Sequence, residues 1–329
     1  MRIVVKEIRK LLGNLFPHVS VFGSYIVLLY LLIRKKRNQI FFLPTSALGD
    51  FVYVLSFWPL IEKKYQNKEL VFFASERYKR IIECNKVNAK IVYLKHLGVK
   101  HLLLFMLSYC PHSPHSVNIA LRNNIIPCVA ISHKKEMKRQ GIVGTRNQLA
   151  RVFGVPAEPV FHHKVAIEKV HSIPEFEKNK NRICIINPYS TSMDYSVSLY
   201  EKICEELRSR NFIVYTNVVG EQKEIKGSLP LQCSVEELFS IASQIPLFVS
   251  VRSGILDFLI PSNVPMFVIY EMYYALFNGS NPKEIAKNYS LREWCSKGVV
   301  HEVFWDNLDK ENDILLDFQS FLEAHLKRL

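Results

Sequence analysis

The strongest constraint on the fold is a repeated alternation of short apolar runs with longer amphipathic segments. The alternation starts at residue 39 and begins again near residue 182, after a polar stretch at 171–182. Short apolar runs predict strands, and apolar residues spaced three or four apart predict helices. Strands that alternate with helices form parallel sheets covered by helices. The sequence therefore predicts an α/β protein with two units in tandem.

Composition and cysteine spacing indicate a globular protein with reduced thiols. Half of the 329 residues are apolar (49%) and 22% are charged, which excludes a disordered chain and a collagen. The seven cysteines are widely spaced and include no Cys-x-x-Cys pair. This pattern favours free thiols over a disulfide framework or a zinc site, so we expect no metal site.

The net charge of +13 is unevenly distributed. Residues 1–180 carry 29 Lys and Arg against 11 Asp and Glu, whereas residues 181–329 carry 14 against 19. A basic half attracts nucleic acid, anionic lipid or phosphorylated substrates. The sequence contains no zinc-finger, RNP or helix-turn-helix signature, so we do not expect nucleic acid as a partner.

The N-terminal stretch 1–38 predicts a helical segment that associates with a membrane. Leu15 to Ile33 contains no charged side chain, and the basic block Arg34–Arg37 follows at once. This pattern is typical of a peripheral or monotopic anchor at the inner face of the cytoplasmic membrane. The alternative is a helix packed on the globular core. A true span is disfavoured, because both flanks are basic and give no orientation.

Three aspartates stand out, since only Asp50, Asp194 and Asp257 lie outside the C-terminal tail. Each follows a predicted strand, in or just beyond the loop that leads to a helix. Ligands of α/β sheets bind at such loops. The alternative is that aspartate is simply a good capping and turn residue.

The first of these aspartates lies in Ser46-Ala47-Leu48-Gly49-Asp50. Gly49 permits close approach of a ligand to the backbone, and the following helix presents its positive end. A carboxylate at position 50 can remove a proton from an acceptor hydroxyl. We therefore predict Asp50 as a general base, with Ser46 and Gly49 on the acceptor side.

A candidate anion site follows a buried strand in the second unit. Ser253 and Gly254 open a helix there, and Arg252 can add a charge-assisted bond to a diphosphate. Asp257, one turn later, either holds a sugar hydroxyl or favours the helix N-terminus. We predict all four residues as donor-binding groups.

Other polar residues extend this predicted donor site. Hydroxyl side chains follow the first strand of the second unit, where they suit sugar or phosphate oxygens or form an ordinary turn: Ser190, Thr191 and Ser192. Glu221 lies beyond the next strand.

Together these segments resemble the bacterial lipopolysaccharide heptosyltransferases of glycosyltransferase family 9. Ser46–Asp50 matches the Ser-x-x-Gly-Asp loop of the family. Asn187–Thr191 is similar to its His-Pro-Gly-Ala-Ser segment, and Arg252–Asp257 to its Asp-Ser-Gly-Pro-Met-His loop. The order of the segments agrees from about residue 39 to residue 270. Met193 and Asp194 stand where the family has a basic residue.

The resemblance implies the GT-B fold, with two Rossmann-like domains that face a cleft. Residues 39–178 would form the acceptor domain and residues 179–329 the donor domain, after the N-terminal segment 1–38. The implied activity is hexosyl or heptosyl transfer from a nucleotide-diphosphate sugar to a glycan or glycolipid of lipopolysaccharide or surface polysaccharide synthesis. The implied reaction inverts the sugar and uses Asp50 as base, and the resemblance also implies that Glu221 lies in a region that contacts the nucleotide. The sequence contains no Asp-x-Asp triplet, so we expect that the reaction requires neither a metal nor a resident cofactor.

Two alternatives stay open. One is a nucleotide-sugar epimerase on the same fold, which would need no separate acceptor and gain nothing from a membrane anchor. The other is a non-catalytic membrane-associated partner in glycan assembly, because the basic residue expected near Met193 is absent.

Overall fold

The predicted apolar runs form two parallel sheets, one in each half of the chain. The computed structural model describes residue 26 and residues 28–45, 47–96, 98–109, 119–128, 144–157, 163–190, 196–270, 273–275, 278–280, 289–294, 300–305 and 311–326. The chain divides into two compact units, Met1–Val165 and Ala166–Leu329. The α/β fold with two parallel sheets is therefore confirmed.

The division between the units lies earlier in the chain than the predicted boundary at 178. The backbone N–H of Glu168 donates to Ser240 Oγ at 2.8 Å, and that of His171 donates to Glu237 Oε1 at 2.6 Å. Both acceptors lie on a helix of the second unit. These bonds fasten the connecting stretch to the second unit, which its polar composition does not show.

Within the described part of the first unit, the sheet contains four parallel strands in the order β3-β2-β1-β4. The strands are β1 (Gln39–Phe42), β2 (Glu69–Ser75), β3 (Lys90–Leu94) and β4 (Ile125–Ile126). The chain adds β2 and β3 on one side of β1 and then returns to its other side for β4. Ligand sites of open α/β sheets lie at such a reversal, beyond the carboxyl ends of the strands.

The apolar run 128–131 predicts a strand, and the last described strand of this sheet lies just before it. Strand β4 ends at Ile126, and Pro127 follows it. Proline has no backbone N–H to donate to a neighbouring strand, so the ladder stops there. Cys128 is buried beyond the strand, and residues 129–131 lie outside the described part of the chain.

Helices cover both faces of the first sheet: α1 (Leu48–Lys64), α2 (Lys79–Cys84), α3 (Val99–Tyr109) and α4 (Thr145–Phe153). On one face, the ring of Trp58 in α1 lies 5.2 Å from that of Phe42 and 5.1 Å from that of Phe72. On the other face, α3 and the helical residues 28–34 share an apolar core with the strands. Gly154 ends α4 in the left-handed conformation (φ +62°), as its position in the sequence predicts.

The N-terminal segment is described only at residue 26 and from residue 28 onward. Leu28 and Leu31 are buried in the core of the first unit, as the alternative of a packed helix requires of them. None of the helices in the described ranges combines the length and the apolar character needed to cross a bilayer.

The described residues of the second unit form a sheet of six parallel strands in the order β12-β9-β8-β5-β6-β7. They are β5 (Ile183–Asn187), β6 (Ile213–Asn217), β7 (Leu229–Leu231), β8 (Leu247–Val251), β9 (Met266–Tyr270) and β12 (Val300–Phe304). A separate antiparallel pair joins β10 (Tyr273–Ala275) to β11 (Asn278–Ser280). The six-stranded order is that of the dinucleotide-binding fold, and the direction of winding reverses between β5 and β8.

The helices of the second unit are α5 (Phe176–Asn179), α6 (Val197–Ser209), α7 (Val235–Ala242), α8 (Gly254–Leu259) and α9 (Glu311–Leu326). Ser234 followed by Glu237 in the sequence predicts a capping box, and helix α7 begins there, with Ser234 Oγ accepting the backbone N–H of Glu237 at 3.0 Å. Helix α9 packs on the sheet, where the ring of Phe318 lies 4.9 Å from that of Phe267.

The central strands of this sheet are apolar until their last residues. Strand β5 ends at Asn187, β6 ends at Asn217, and Ser250 is the next-to-last residue of β8. A strand buried on both faces must be apolar, and polar side chains are retained only where they bond to one another. The polar groups of the second unit therefore collect at the carboxyl edge of its sheet.

Candidate active site

In the first unit, Asp50 lies immediately beyond the carboxyl end of β1. It is the third residue of α1 and is half-buried, and the neighbouring Gly49 is buried. The N-cap residue Ala47 provides no side-chain cap, so the Asp50 carboxylate supplies the negative charge that this helix end favours. Ser46, predicted on the acceptor side, lies outside the described residues.

The negative charge of Asp50 contributes to the pKa shifts of two neighbouring groups, Tyr78 and Cys128. Burial raises the pKa of Tyr78 to about 12, Arg77 opposes the shift, and Asp50 adds to it. Burial also raises the pKa of the Cys128 thiol, and Asp50 raises it further. Tyr78 therefore keeps its phenolic proton at neutral pH, and Cys128 is not a thiolate nucleophile.

Side chains that follow β2 and β3 form a hydrogen-bonded cluster at the same sheet edge. The Arg77 guanidinium donates to the hydroxyl of Tyr78, and its Nη1 lies 3.2 Å from Nε2 of His96. The other ring nitrogen of His96 lies 3.2 Å from Ser75 Oγ. The rings of His96 and His101 are 5.6 Å apart. The topology thus brings together residues that follow two neighbouring strands.

Both histidines of this cluster favour the neutral form. Burial lowers the pKa of His96, and the positive charge of Arg77 lowers it further. Burial also lowers the pKa of His101, and His96 and Arg77 add to that shift. A neutral imidazole can accept or donate a proton, so this edge combines a carboxylate, a guanidinium and groups able to move protons.

In the second unit, Asn187 joins the ends of three strands. Its Nδ2 donates to Ser250 Oγ at 2.9 Å and to Ser253 Oγ at 3.4 Å, and its Oδ1 accepts from Asn217 Nδ2 at 2.8 Å. Asn187, Asn217 and Ser250 are buried. The result is a neutral network at the reversal between β5 and β8, which orients the Ser253 hydroxyl at the N-cap of α8.

The structure pairs Arg252 with Asp257, which the sequence analysis treated as separate ligand groups. The Arg252 guanidinium bonds to both carboxylate oxygens of Asp257, at 2.7 and 3.0 Å. The side chains are only 6% and 3% exposed, and Arg252 also donates to the carbonyls of Ser253 and Tyr289. Their charges largely cancel within the pair, because each is the nearest counter-ion of the other. A direct contact of either residue with a nucleotide stays a prediction.

The other predicted donor residues lie around this network or outside the described ranges. Ser190 is half-buried in the loop after β5, and Gly254 begins α8. Glu221 is exposed in the loop that joins β6 to β7. Thr191 and Ser192 are outside the described residues. The hydroxyl of Tyr189 bonds to the carbonyl of Lys223, which links the loops after β5 and β6.

Sequence reasoning missed part of both edges. It named neither the cluster of the first unit nor the amide that completes the network of the second: Arg77, Tyr78, His96, His101 and Asn217. The available signal was position, since Arg77 and His96 each follow a predicted strand by two or three residues. The same rule had selected Asp50. Among the described residues, no three His, Cys, Asp or Glu side chains lie close enough together to hold a metal ion.

Solved structures of other proteins share the fold of this chain. Two Rossmann-like units with these strand orders define a class of α/β proteins that bind nucleotides or dinucleotides. The structure of a glycosyl transferase family 9 protein from Veillonella parvula is similar with a TM-score of 0.54 and 11% identity, over 88% of this chain and 98% of that chain.

The Escherichia coli heptosyltransferase WaaC, solved with ADP, is similar with a TM-score of 0.50 and 10% identity, over 86% of this chain and 99% of that chain. No protein-family model and no curated protein matches the sequence. At these identities the likeness shows the fold, so the chain has the fold of family 9 glycosyltransferases, as its sequence predicts.

Proposed function

We propose that this protein is a glycosyltransferase that moves a sugar from a nucleotide-diphosphate sugar to a hydroxyl of a growing lipopolysaccharide or surface polysaccharide. The observation that carries the proposal is the position of Asp50. It lies at the reversal of the first sheet, in the first turn of α1, and close enough to Tyr78 to add to the rise that burial causes in the pKa of that phenol. On a fold shared with family 9, this position suits a group that acts on an acceptor hydroxyl.

The donor is assigned to the edge of the second sheet. A nucleotide bound at the reversal between β5 and β8 would meet the Asn187 network and the loop from Arg252 to Gly254. Ser253 offers a hydroxyl there, while the Arg252–Asp257 pair holds the loop. Because WaaC was solved with ADP, we extend a nucleoside diphosphate to this chain as the leaving group. Ser190, Thr191, Ser192 and Glu221 complete the proposed donor side.

The proposed reaction is a single displacement. Asp50 removes the proton of the acceptor hydroxyl as its oxygen attacks the anomeric carbon of the donor. The bond from that carbon to the diphosphate oxygen breaks, and the nucleoside diphosphate leaves with the electron pair. Attack opposite the leaving group inverts the anomeric centre. This route uses the protein's own side chains and requires no resident cofactor.

The proposed place of action is the inner face of the cytoplasmic membrane, with the protein attached peripherally. The basic block Arg34–Arg37 is mostly exposed at the end of the helical residues 28–34. Such a block is attracted to anionic lipid headgroups. A membrane-bound glycolipid acceptor would then lie close to the unit that contains Asp50.

The decisive experiment compares the wild-type protein with Asp50→Asn. We expect the variant to keep wild-type stabilisation by its nucleoside diphosphate and to lose about 100-fold or more in transfer rate, as a missing general base does. Thermal-shift measurements with ADP, GDP, UDP and CMP identify the nucleotide, and product analysis separates transfer from epimerisation. Wild-type transfer by Asp50→Asn would remove Asp50 from the role of base. A wild-type protein that none of these nucleotides stabilises would favour the non-catalytic alternative.

A further inference from the structure

Exposed apolar side chains are concentrated in two helical segments of the first unit. Fourteen large hydrophobic residues are exposed among the described residues, and seven of them lie in residues 26–34 and in α3. These seven are Ile26, Leu29, Tyr30, Ile33, Val99, Leu102 and Leu103. Single exposed apolar residues are ordinary, whereas a concentration of them marks an interaction surface.

The two segments lie on the same face of the first sheet. Leu28 and Leu31 from one segment and Leu104 from α3 belong to one buried cluster with strand residues such as Val71 and Leu94. Helices that pack on one face of a sheet turn their outer sides away from that sheet in a common direction. The exposed apolar residues of both segments therefore contribute to one side of the unit.

Both segments are apolar on the side where a surface helix is normally polar. Leu28 and Leu31 are buried while Leu29 and Tyr30 are exposed, and α3 repeats the pattern with His101 and Leu104 buried and Leu102 and Leu103 exposed. A helix that covers a core normally carries charged or polar residues on its outer face. The outer faces of these two segments instead carry exposed apolar side chains, which suit contact with an apolar environment.

Charge gives this surface a preferred partner. No Asp or Glu occurs between Glu7 and Asp50 or between Glu83 and Glu136, the two stretches that contain these segments. Exposed basic side chains lie in or beside both segments: Arg34, Lys36, Arg37, Lys95 and Lys100. Apolar side chains flanked by basic ones and free of carboxylates are complementary to an anionic bilayer, with hydrocarbon for the former and phosphates for the latter.

We infer that α3 is a second membrane-contacting element, which inserts Val99, Leu102 and Leu103 into the interface of an anionic bilayer alongside residues 26–34. This inference rests on the proposed membrane location and deepens it, since contact would no longer depend on the N-terminal segment alone. Val99 begins α3 only three residues after His96, which belongs to the hydrogen-bonded cluster at the carboxyl edge of the first sheet. The inserted helix would therefore place that edge next to the lipid headgroups.

The test is co-sedimentation of the full-length protein with phosphatidylcholine vesicles, with and without phosphatidylglycerol. The test variant is Val99→Ser/Leu102→Ser/Leu103→Ser, which changes only exposed side chains. The matched control replaces three exposed apolar residues of the second unit, as Val197→Ser/Val219→Ser/Leu229→Ser. We expect the α3 variant to bind anionic vesicles at least about tenfold more weakly than wild type, with the control unchanged, because burying apolar carbon drives insertion.

A second variant tests the electrostatic half of the inference. Lys95→Glu/Lys100→Glu should weaken binding to vesicles that contain phosphatidylglycerol and leave binding to pure phosphatidylcholine nearly unchanged. Wild-type affinity of the α3 variant for anionic vesicles, or absence of binding by the wild-type protein, would overturn the inference. The inference would also be overturned if the wild-type protein were a dimer without lipid and the α3 variant a monomer. That result would assign this face to contact with a second copy of the chain.

The nucleotide measurements keep the two proposals separate. We expect the α3 variant to be stabilised by the same nucleoside diphosphate as wild type, because the substituted side chains lie in the first unit. Loss of vesicle binding with intact nucleotide stabilisation supports the inference. The wild-type protein could also bind vesicles through α3 without being stabilised by any nucleotide. That result would contradict the transferase proposal and still support the membrane-contacting role of α3.

Discussion

The carboxyl edges of the two sheets share a reversal of strand order but carry different chemistry. The first edge holds ionisable groups in different charge states: Asp50, Arg77, His96 and His101. The second edge holds amides and hydroxyls bonded to one another: Asn187, Asn217, Ser250 and Ser253. Its one buried charged pair, among the residues described above, is Arg252 with Asp257. The first edge therefore contains groups that can transfer protons, whereas the second contains a hydrogen-bonded network that fixes the positions of its side chains.

This difference suggests a division of work between the units. Proton transfer needs groups that change protonation near neutral pH, and such groups cost stability when they are buried. A binding edge profits from a rigid, satisfied network instead, because preorganised groups lose little entropy when a ligand arrives. We therefore expect substitutions at the first edge to impair transfer and substitutions at the second edge to impair stability and nucleotide binding.

The largest expected effect comes from Asp257→Asn. Removal of the carboxylate charge leaves the Arg252 guanidinium buried without its counter-ion, so we expect the free energy of unfolding to fall by about 3–5 kcal/mol. Urea denaturation followed by circular dichroism measures it. The matched control is Asp317→Asn, whose half-exposed carboxylate pairs with His301 and should contribute no more than about 1 kcal/mol.

The same variant decides between two interpretations of Asp257. An Asp257→Asn protein with wild-type stability and lost nucleotide binding would show that the carboxylate contacts the ligand, as the sequence predicted. The double variant Arg252→Met/Asp257→Leu should recover much of the lost stability, since it leaves no unpaired charge.

An intermediate effect is expected from Asn187→Ala. The substitution leaves the amide of Asn217 and two serine hydroxyls without their shared partner, at a cost of about 1–3 kcal/mol in the free energy of unfolding. The nucleotide-induced rise in Tm should shrink, while transfer at saturating donor should persist. Asn179→Ala, at a site remote from the network in the same unit, provides the control. If Asn187→Ala also lost transfer activity at saturating donor, the proposed division of work between the two edges would be contradicted.

The smallest effect is a pH dependence that belongs to the first edge. The pKa values of His96 and His101 are lowered in the folded protein by burial and by Arg77. Below the ordinary histidine pKa of about 6.5 the unfolded chain binds more protons than the folded one, so stability falls as the pH drops through that value. The decline should level off below the pKa values of the folded protein.

Unfolding experiments between about pH 7.5 and 5.5 measure this slope. We expect His96→Asn to be less sensitive to pH than wild type over this window. An unchanged slope would mean that protonation of His96 is not linked to folding, and the first edge would lose one of the groups that distinguish it from the second.

Local patterns were sufficient to predict much of the fold. The short apolar run Met266–Tyr270 lies between turn residues and therefore predicts a strand, and strand β9 has these bounds. The stop of α4 at Gly154 and the cap of α7 at Ser234 followed from residue type and position alone. Each of these features depends on residues that are close in sequence.

The unpredicted features depend on residues that are distant in sequence. Arg252 is held partly by the carbonyl of Tyr289, which lies 37 residues later in the chain. His96 is held by Ser75 and Arg77, 21 and 19 residues earlier. A strand-end rule can select such positions, but only the sheet order determines which of them become neighbours.

Helix α1 connects the candidate base to a remote fixing point. Its last residue, Lys64, donates through Nζ to the carbonyls of Phe153 and Gly154, at 3.0 and 2.8 Å. At 1.5 Å per residue, that anchor is about 21 Å from Asp50 along the helix. A side chain added at Gly154 would strain the backbone at φ +62° and displace the flexible end of Lys64. A substitution at Gly154 would therefore loosen the far end of the helix that carries Asp50, without changing any residue of the candidate site.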